Sequence, residues 1–116
     1  MVLIDNYVDI DTLNILAKKK SDIEVIIYTA SGTRLSGTDI KKFNEQYPTL
    51  EVRYTGAFHD RFLIIDDAYA YHIGASVKDA GKKCFGVNLI EDSRMVRDIV
   101  ERLKLESEEW MREKNI

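Results

Sequence analysis

Between residues 61 and 76 two apolar runs, RFLIID and YAYHIGAS, meet with only a short acidic bend at Asp66, Asp67 and Ala68 between them. A parallel crossover needs a dozen or more residues, so two strands this close in sequence can pair only as an antiparallel hairpin. The acids at the bend are turn formers. Upstream the spacing is different. The runs VLID (2–5), IEVIIYT (23–29) and TLEVRYT (49–55) are separated by segments with helical periodicity. In the first, DIDTLNILAKKK, Asp9 or Asp11 can cap a helix whose Ile10, Leu13, Leu16 and Ala17 fall on one side. In the second, Ser36 and Asp39 form a capping-box-like pair, Ile40, Phe43 and Tyr47 make the stripe, and Pro48 stops the helix. A last strand, CFGVNLI (84–90), precedes a long helix from about Ser93 to Arg112 with Val96, Ile99, Val100, Leu103 and Trp110 on its core face. The order β-α-β-α-β-β-β-β-α predicts an α/β sandwich: a mixed sheet, flanked by helices, with crossovers early and a hairpin late.

Composition narrows the function classes. A chain of 116 residues, 45% hydrophobic and 32% charged, is sized and composed for one folded domain, 1–116. A net charge of -3 excludes an all-over basic surface and leaves room for a local patch of Arg61, Lys78, Lys82 and Lys83. The single cysteine, Cys84, makes no internal disulfide and suits a reducing compartment, and there is no basic leader with an apolar run and no membrane-length stretch, so a cytoplasmic setting is expected. The chain opens inside a strand, which reads as a fragment of a longer protein.

The chemistry concentrates at GAFHDRFLIID (56–66). Strand alternation puts His59, Arg61, Leu63 and Ile65 on one face and Asp60, Phe62 and Ile64 on the other. His59 and Arg61 thus share one space, as an anion site or as a solvated strand entrance. His72, followed two residues later by Gly74, reads as a packed strand histidine. Lys78, Lys82 and Lys83 read equally as a nucleic-acid path and as a solvated loop. Cys84 reads as a small buried hydrophobe. Gly74 to Lys83 has the wrong spacing for a nucleotide phosphate loop, and Lys83 stands where Ser or Thr would hold magnesium. Two histidines and one cysteine without clustering give no zinc site, so no metal and no cofactor is expected.

His59, one residue, Arg61, four residues, Asp66, then Gly74 and Ser76 after the hairpin, resembles the phospholipase D superfamily signature, H-x-K-x4-D followed by G-S-x-N. The layout of strand, helix, strand before the motif hairpin is also similar, apart from a leading helix that this chain lacks. VLIDNYVDIDTLNIL, DIKKFNEQYPTLEV, HDRFLIID and YHIGASVKDAGKK further resemble the C-terminal regions of phage-antirepressor-like, virulence-associated bacterial DNA-binding proteins, a likeness over nearly the whole chain that names a context and not a reaction. The superfamily resemblance implies a metal-free phosphodiester reaction in which a histidine attacks phosphorus and a second histidine protonates the leaving oxygen. With one copy of the motif, it implies a homodimer with His59 as nucleophile in one subunit and general acid in the other. Asp66 and Gly74 are then structural.

The departures weaken catalysis more than binding. Arg61 replaces lysine, keeping the charge and adding a planar fork for two phosphate oxygens. Ser76 and Lys78 match Ser and Asn only with a one-residue shift, yet both can serve phosphate. The carboxylate that orients the histidine in the family's nucleases, just before the last strand, is replaced by GKKCFG. Two functions follow: a degenerate module that recognises phosphodiesters, nucleic acid foremost, and dimerises as an accessory to an N-terminal DNA-binding domain, or an active phosphodiesterase or nuclease using His59, Arg61 and Ser76. A purely structural dimerisation domain is a third reading. No membrane partner is expected.

Overall fold

The computed structural model describes residues 1–18, 22–30, 35–58, 60–74 and 87–114. In chain order these form β1 (Val2–Ile4), α1 (Ile10–Leu16), β2 (Val25–Thr29), α2 (Gly37–Gln46), β3 (Leu50–Tyr54), β4 (Phe62–Ile65), β5 (Tyr69–Ile73), β6 (Val87–Leu89) and α3 (Ser93–Lys114). The strands make a six-stranded mixed sheet in the order β3-β2-β1-β4-β5-β6. β1, β2 and β3 run parallel, while β4 pairs antiparallel with β1, and β5 and β6 continue antiparallel.

Local chemistry explains where the helices begin. Asp9 caps α1: its carboxylate accepts from the Asp11 amide at 3.0 Å, and Thr12 Oγ1 accepts from the Asp9 amide at 3.1 Å. Asp9, not Asp11, is therefore the cap. At α2 the Ser36 and Asp39 pair closes as a capping box. Each satisfies amides that the first helical turn leaves without partners. Asn44 then ties α2 to β3, donating from Nδ2 to the Leu50 carbonyl at 2.9 Å and accepting from the Leu50 amide. Asp92 caps the start of α3 through the Arg94 amide. In the hairpin the Ala68 amide donates to the Ile65 carbonyl at 3.1 Å, and Asp66 and Asp67 take φ of 55° and 52°. Positive φ at both central residues matches the right-handed twist of the flanking strands, and Asp tolerates it better than most residues.

The crossovers β1-α1-β2 and β2-α2-β3 step in one direction across the sheet and share one hand, so both helices land on one face. Under them Leu3, Val25, Ile27 and Leu50 of the sheet pack with Val8, Leu13, Leu16, Leu35, Phe43 and Ile73. The opposite face carries α3: Ile4, Tyr28, Phe58, Phe62, Ile64 and Ala70 pack with Ile99, Val100 and Leu103. The sheet is covered on both sides, which accounts for the near-continuous apolar character of VLI and VIIYT. Two side chains depart from the sequence-based core: Ile10 is exposed on α1, where Thr12 is buried instead. Trp110 is half-buried and stacks on an arginine rather than entering the apolar core.

That arginine, Arg53 on β3, clamps the C-terminal half of α3. Its guanidinium donates to Tyr28 Oη at 2.7 Å, Ser107 Oγ at 2.9 Å and Glu51 Oε2 at 2.8 Å, and lies 4.6 Å from the Trp110 ring centroid. Thr55 adds a second tie, donating to Glu106 Oε2 at 2.8 Å. Apolar packing thus holds the first half of α3 and polar contacts the second.

Candidate functional site

The carboxyl ends of the parallel strands lie at one edge of the sheet, and the strand order turns there. From β1 the chain leaves toward β2 and β3, then returns on the other side of β1 as β4, whose amino end enters at the same edge. In open α/β sheets this is where ligands bind, because the diverging connections leave a crevice. Asp5, Asn6 and Tyr7 follow β1 there, Thr29 ends β2, and Arg61 precedes β4.

The register fixes which of these share a face. Leu3 is paired with Ile27 on β2 and Leu63 on β4. Two residues on, the same face carries Thr29, Asp5 and Arg61 in a row across three strands, on the side of α1 and α2. The Ile73 amide donates to the Arg61 carbonyl at 3.1 Å and extends the β4–β5 ladder to this point. Arg61 is consequently fixed at the backbone even though it lies outside β4 proper.

Asp5 is fully buried. Its Oδ1 accepts from the Tyr7 amide at 2.9 Å, turning the chain out of β1, and lies 4.0 Å from Arg61 Nε. Asn6 braces the opposite wall by donating from Nδ2 to the Phe58 carbonyl at 3.0 Å. The Arg61 guanidinium carbon stands 5.8 Å from the centroid of the Tyr7 ring, which is itself 62% exposed. Arg61 Nε is buried without a hydrogen-bond partner, although the side chain as a whole is 30% exposed. Among the described residues no hydrogen bond engages the rest of this guanidinium. Thr29 Oγ1, in the same row, is also buried and without a hydrogen bond among them.

The sequence-derived residues distribute unevenly. Arg61 lies at this edge, and Gly74 follows β5 there, exposed. Asp66 sits in the hairpin turn at the far end of β4. His72 is on the opposite face, half-buried, its ring 5.6 Å from that of Phe62 in an edge-on arrangement. The register pairing of His72 with Phe62 and Leu63 with Tyr71 keeps it away from the face of Arg61. His59, Ser76, Lys78, Lys82, Lys83 and Cys84 lie outside the described residues. Asp5, Tyr7 and Thr29 were missed from sequence. The available signal was an acid ending an apolar strand, VLID, at a position whose alternate neighbour Leu3 is core. Among the described residues no group of three or more His, Cys, Asp or Glu side chains is placed to hold a metal ion. Nor, among them, is any helix long and apolar enough to cross a membrane.

Fold and site together define a small mixed α/β domain with a cationic fork beside a buried carboxylate at the carboxyl edge of its parallel strands. Comparison of the chain with protein-family models, curated proteins and solved structures found no match.

Proposed function

We propose that this is a phospholipase D-like domain that recognises phosphodiesters, nucleic acid foremost, and dimerises as an accessory module of a cytoplasmic DNA-binding protein. The observation that carries the reading is Arg61: a guanidinium partly open to solvent, at ion-pair distance from Asp5 but with no hydrogen bond among the described residues, at the carboxyl edge of the parallel strands. A planar fork with unused donors suits two phosphate oxygens. The element order supports the same reading, since strand, helix, strand ahead of the hairpin is the layout expected of the family that His59, Arg61, Asp66 and Gly74 resemble. Binding is favoured over catalysis because arginine replaces the signature lysine and Ser76 and Lys78 are out of step with G-S-x-N.

The test is fluorescence anisotropy with labelled single- and double-stranded oligonucleotides across a salt series, alongside hydrolysis of a chromogenic phosphodiester in excess chelator. The expected result is salt-sensitive binding that Arg61→Ala weakens, with no hydrolysis. Hydrolysis that survives chelator and is lost in His59→Ala would replace this reading with the active phosphodiesterase. Absence of both binding and hydrolysis would overturn it.

A further inference from the structure

We infer that Asp5 is a positioning residue for Arg61, its buried carboxylate drawing the Nε edge of the guanidinium inward by charge at 4.0 Å, without a hydrogen bond, and leaving the terminal nitrogens for a ligand; as a statement about ligand binding this rests on the phosphodiester reading above. An arginine side chain has many rotamers, and an exposed one spends little time in the geometry that a bidentate phosphate contact needs. Three constraints restrict Arg61. Its backbone is locked to β5 through the Ile73 amide. The guanidinium is flanked by the Tyr7 ring, 5.8 Å away. The fully buried carboxylate of Asp5 faces Nε at 4.0 Å and is itself fixed by the Tyr7 amide. A carboxylate taking both terminal nitrogens would compete with phosphate. One placed at the Nε edge sets the orientation of the fork and leaves its outer edge open.

Charge and geometry predict opposite signs, which makes the role measurable. If Asp5 were only a negative charge near an anion site, removing it would strengthen phosphate binding. If Asp5 orients the fork, removing it weakens binding in spite of the more favourable charge. Asp5→Asn keeps an oxygen for the Tyr7 amide and loses the charge.

The experiment combines two readouts on the full chain: solvent exchange of the Arg61 Nε–H by nitrogen-15 NMR, assigned with Arg61→Lys, and anisotropy with a labelled oligonucleotide. The expected result is slow Nε–H exchange in the unsubstituted protein, acceleration in Asp5→Asn, and an affinity about fivefold lower in that variant, as loss of preorganisation implies. Tighter binding by Asp5→Asn, or unchanged Nε–H exchange, overturns the inference. If the unsubstituted protein binds no oligonucleotide, the phosphodiester reading falls, and the Nε–H exchange alone decides the pairing: acceleration upholds it, no change overturns it. Should Asp5→Asn fail to fold, Arg61→Lys serves instead, because lysine keeps the charge and has no Nε edge for Asp5 to hold. Affinity near that of Arg61→Ala supports the inference, and affinity equal to the parent overturns it.

Discussion

Two arginines sit on opposite faces of one sheet. Arg53, on the α3 face, is 7% exposed in its side chain and gives hydrogen bonds to Tyr28, Ser107 and Glu51 while stacking on Trp110. Arg61, on the α1 and α2 face, is 30% exposed and has no hydrogen bond to its guanidinium among the described residues. Arg53 spends both terminal nitrogens on the protein that surrounds it, although its Nε, like that of Arg61, is buried without a hydrogen bond, so its contribution is to stability. Arg61 is anchored through its backbone and one edge only, which leaves its recognition capacity for something outside the fold. Residue type alone does not separate a structural arginine from a binding one; the number of donors already used does.

The largest effect is expected at Arg53, whose terminal nitrogens are both engaged. Arg53→Ala removes hydrogen bonds to a charged donor together with a cation–π contact and is expected to cost about 2–4 kcal/mol. For a domain of this size that lowers the melting temperature by roughly 10–20 °C, measured by circular dichroism. Arg53→Lys is expected to lose about half as much, because an ammonium cannot reproduce the planar fork between Tyr28, Ser107 and Glu51. If Arg53→Lys melts with the parent, the network is not what docks α3.

A middle-sized effect is expected from the partner on the helix. Ser107→Ala deletes one charge-assisted bond and is expected to cost about 1 kcal/mol in denaturant unfolding. Its effect should not add to that of Arg53→Ala, since both remove the same contact; additivity would mean that the two act independently.

The smallest stability effect is expected at Arg61. Arg61→Ala is expected to cost no more than about 1 kcal/mol, because the 4.0 Å pair has no hydrogen bond to lose and the buried Asp5 carboxylate keeps the Tyr7 amide, while lowering the slope of log affinity against log salt by about one phosphate contact. A large stability loss with unchanged oligonucleotide binding would reverse the comparison and make Arg61 a second structural arginine.

Much of the architecture was readable because it is written in short-range chemistry. The capping pair at Ser36 and Asp39, the stop at Pro48 and the tight bend at Asp66 and Asp67 act over a few residues, and the sheet order follows once the helices define crossovers. The choice between Asp9 and Asp11 as cap was open in sequence because either acid can accept amides from the next turn; Thr12 Oγ1, accepting the Asp9 amide, decides it. The site was half legible. Arg61 stands out as a charge at the head of an apolar strand, whereas Asp5 and Thr29 join it only through the β2-β1-β4 register, which no local pattern encodes. Arg53 was hidden for the same reason: nothing local in TLEVRYT marks it, and its partner Ser107 lies 54 residues away.

The most direct test of the central claim pairs thermal unfolding with oligonucleotide anisotropy for Arg61→Ala and Arg53→Ala. Arg61→Ala is expected to lose salt-sensitive binding while melting within about 5 °C of the parent, and Arg53→Ala to melt far below both. Binding by Arg61→Ala equal to that of the parent protein, at a temperature where both are folded, would contradict the claim.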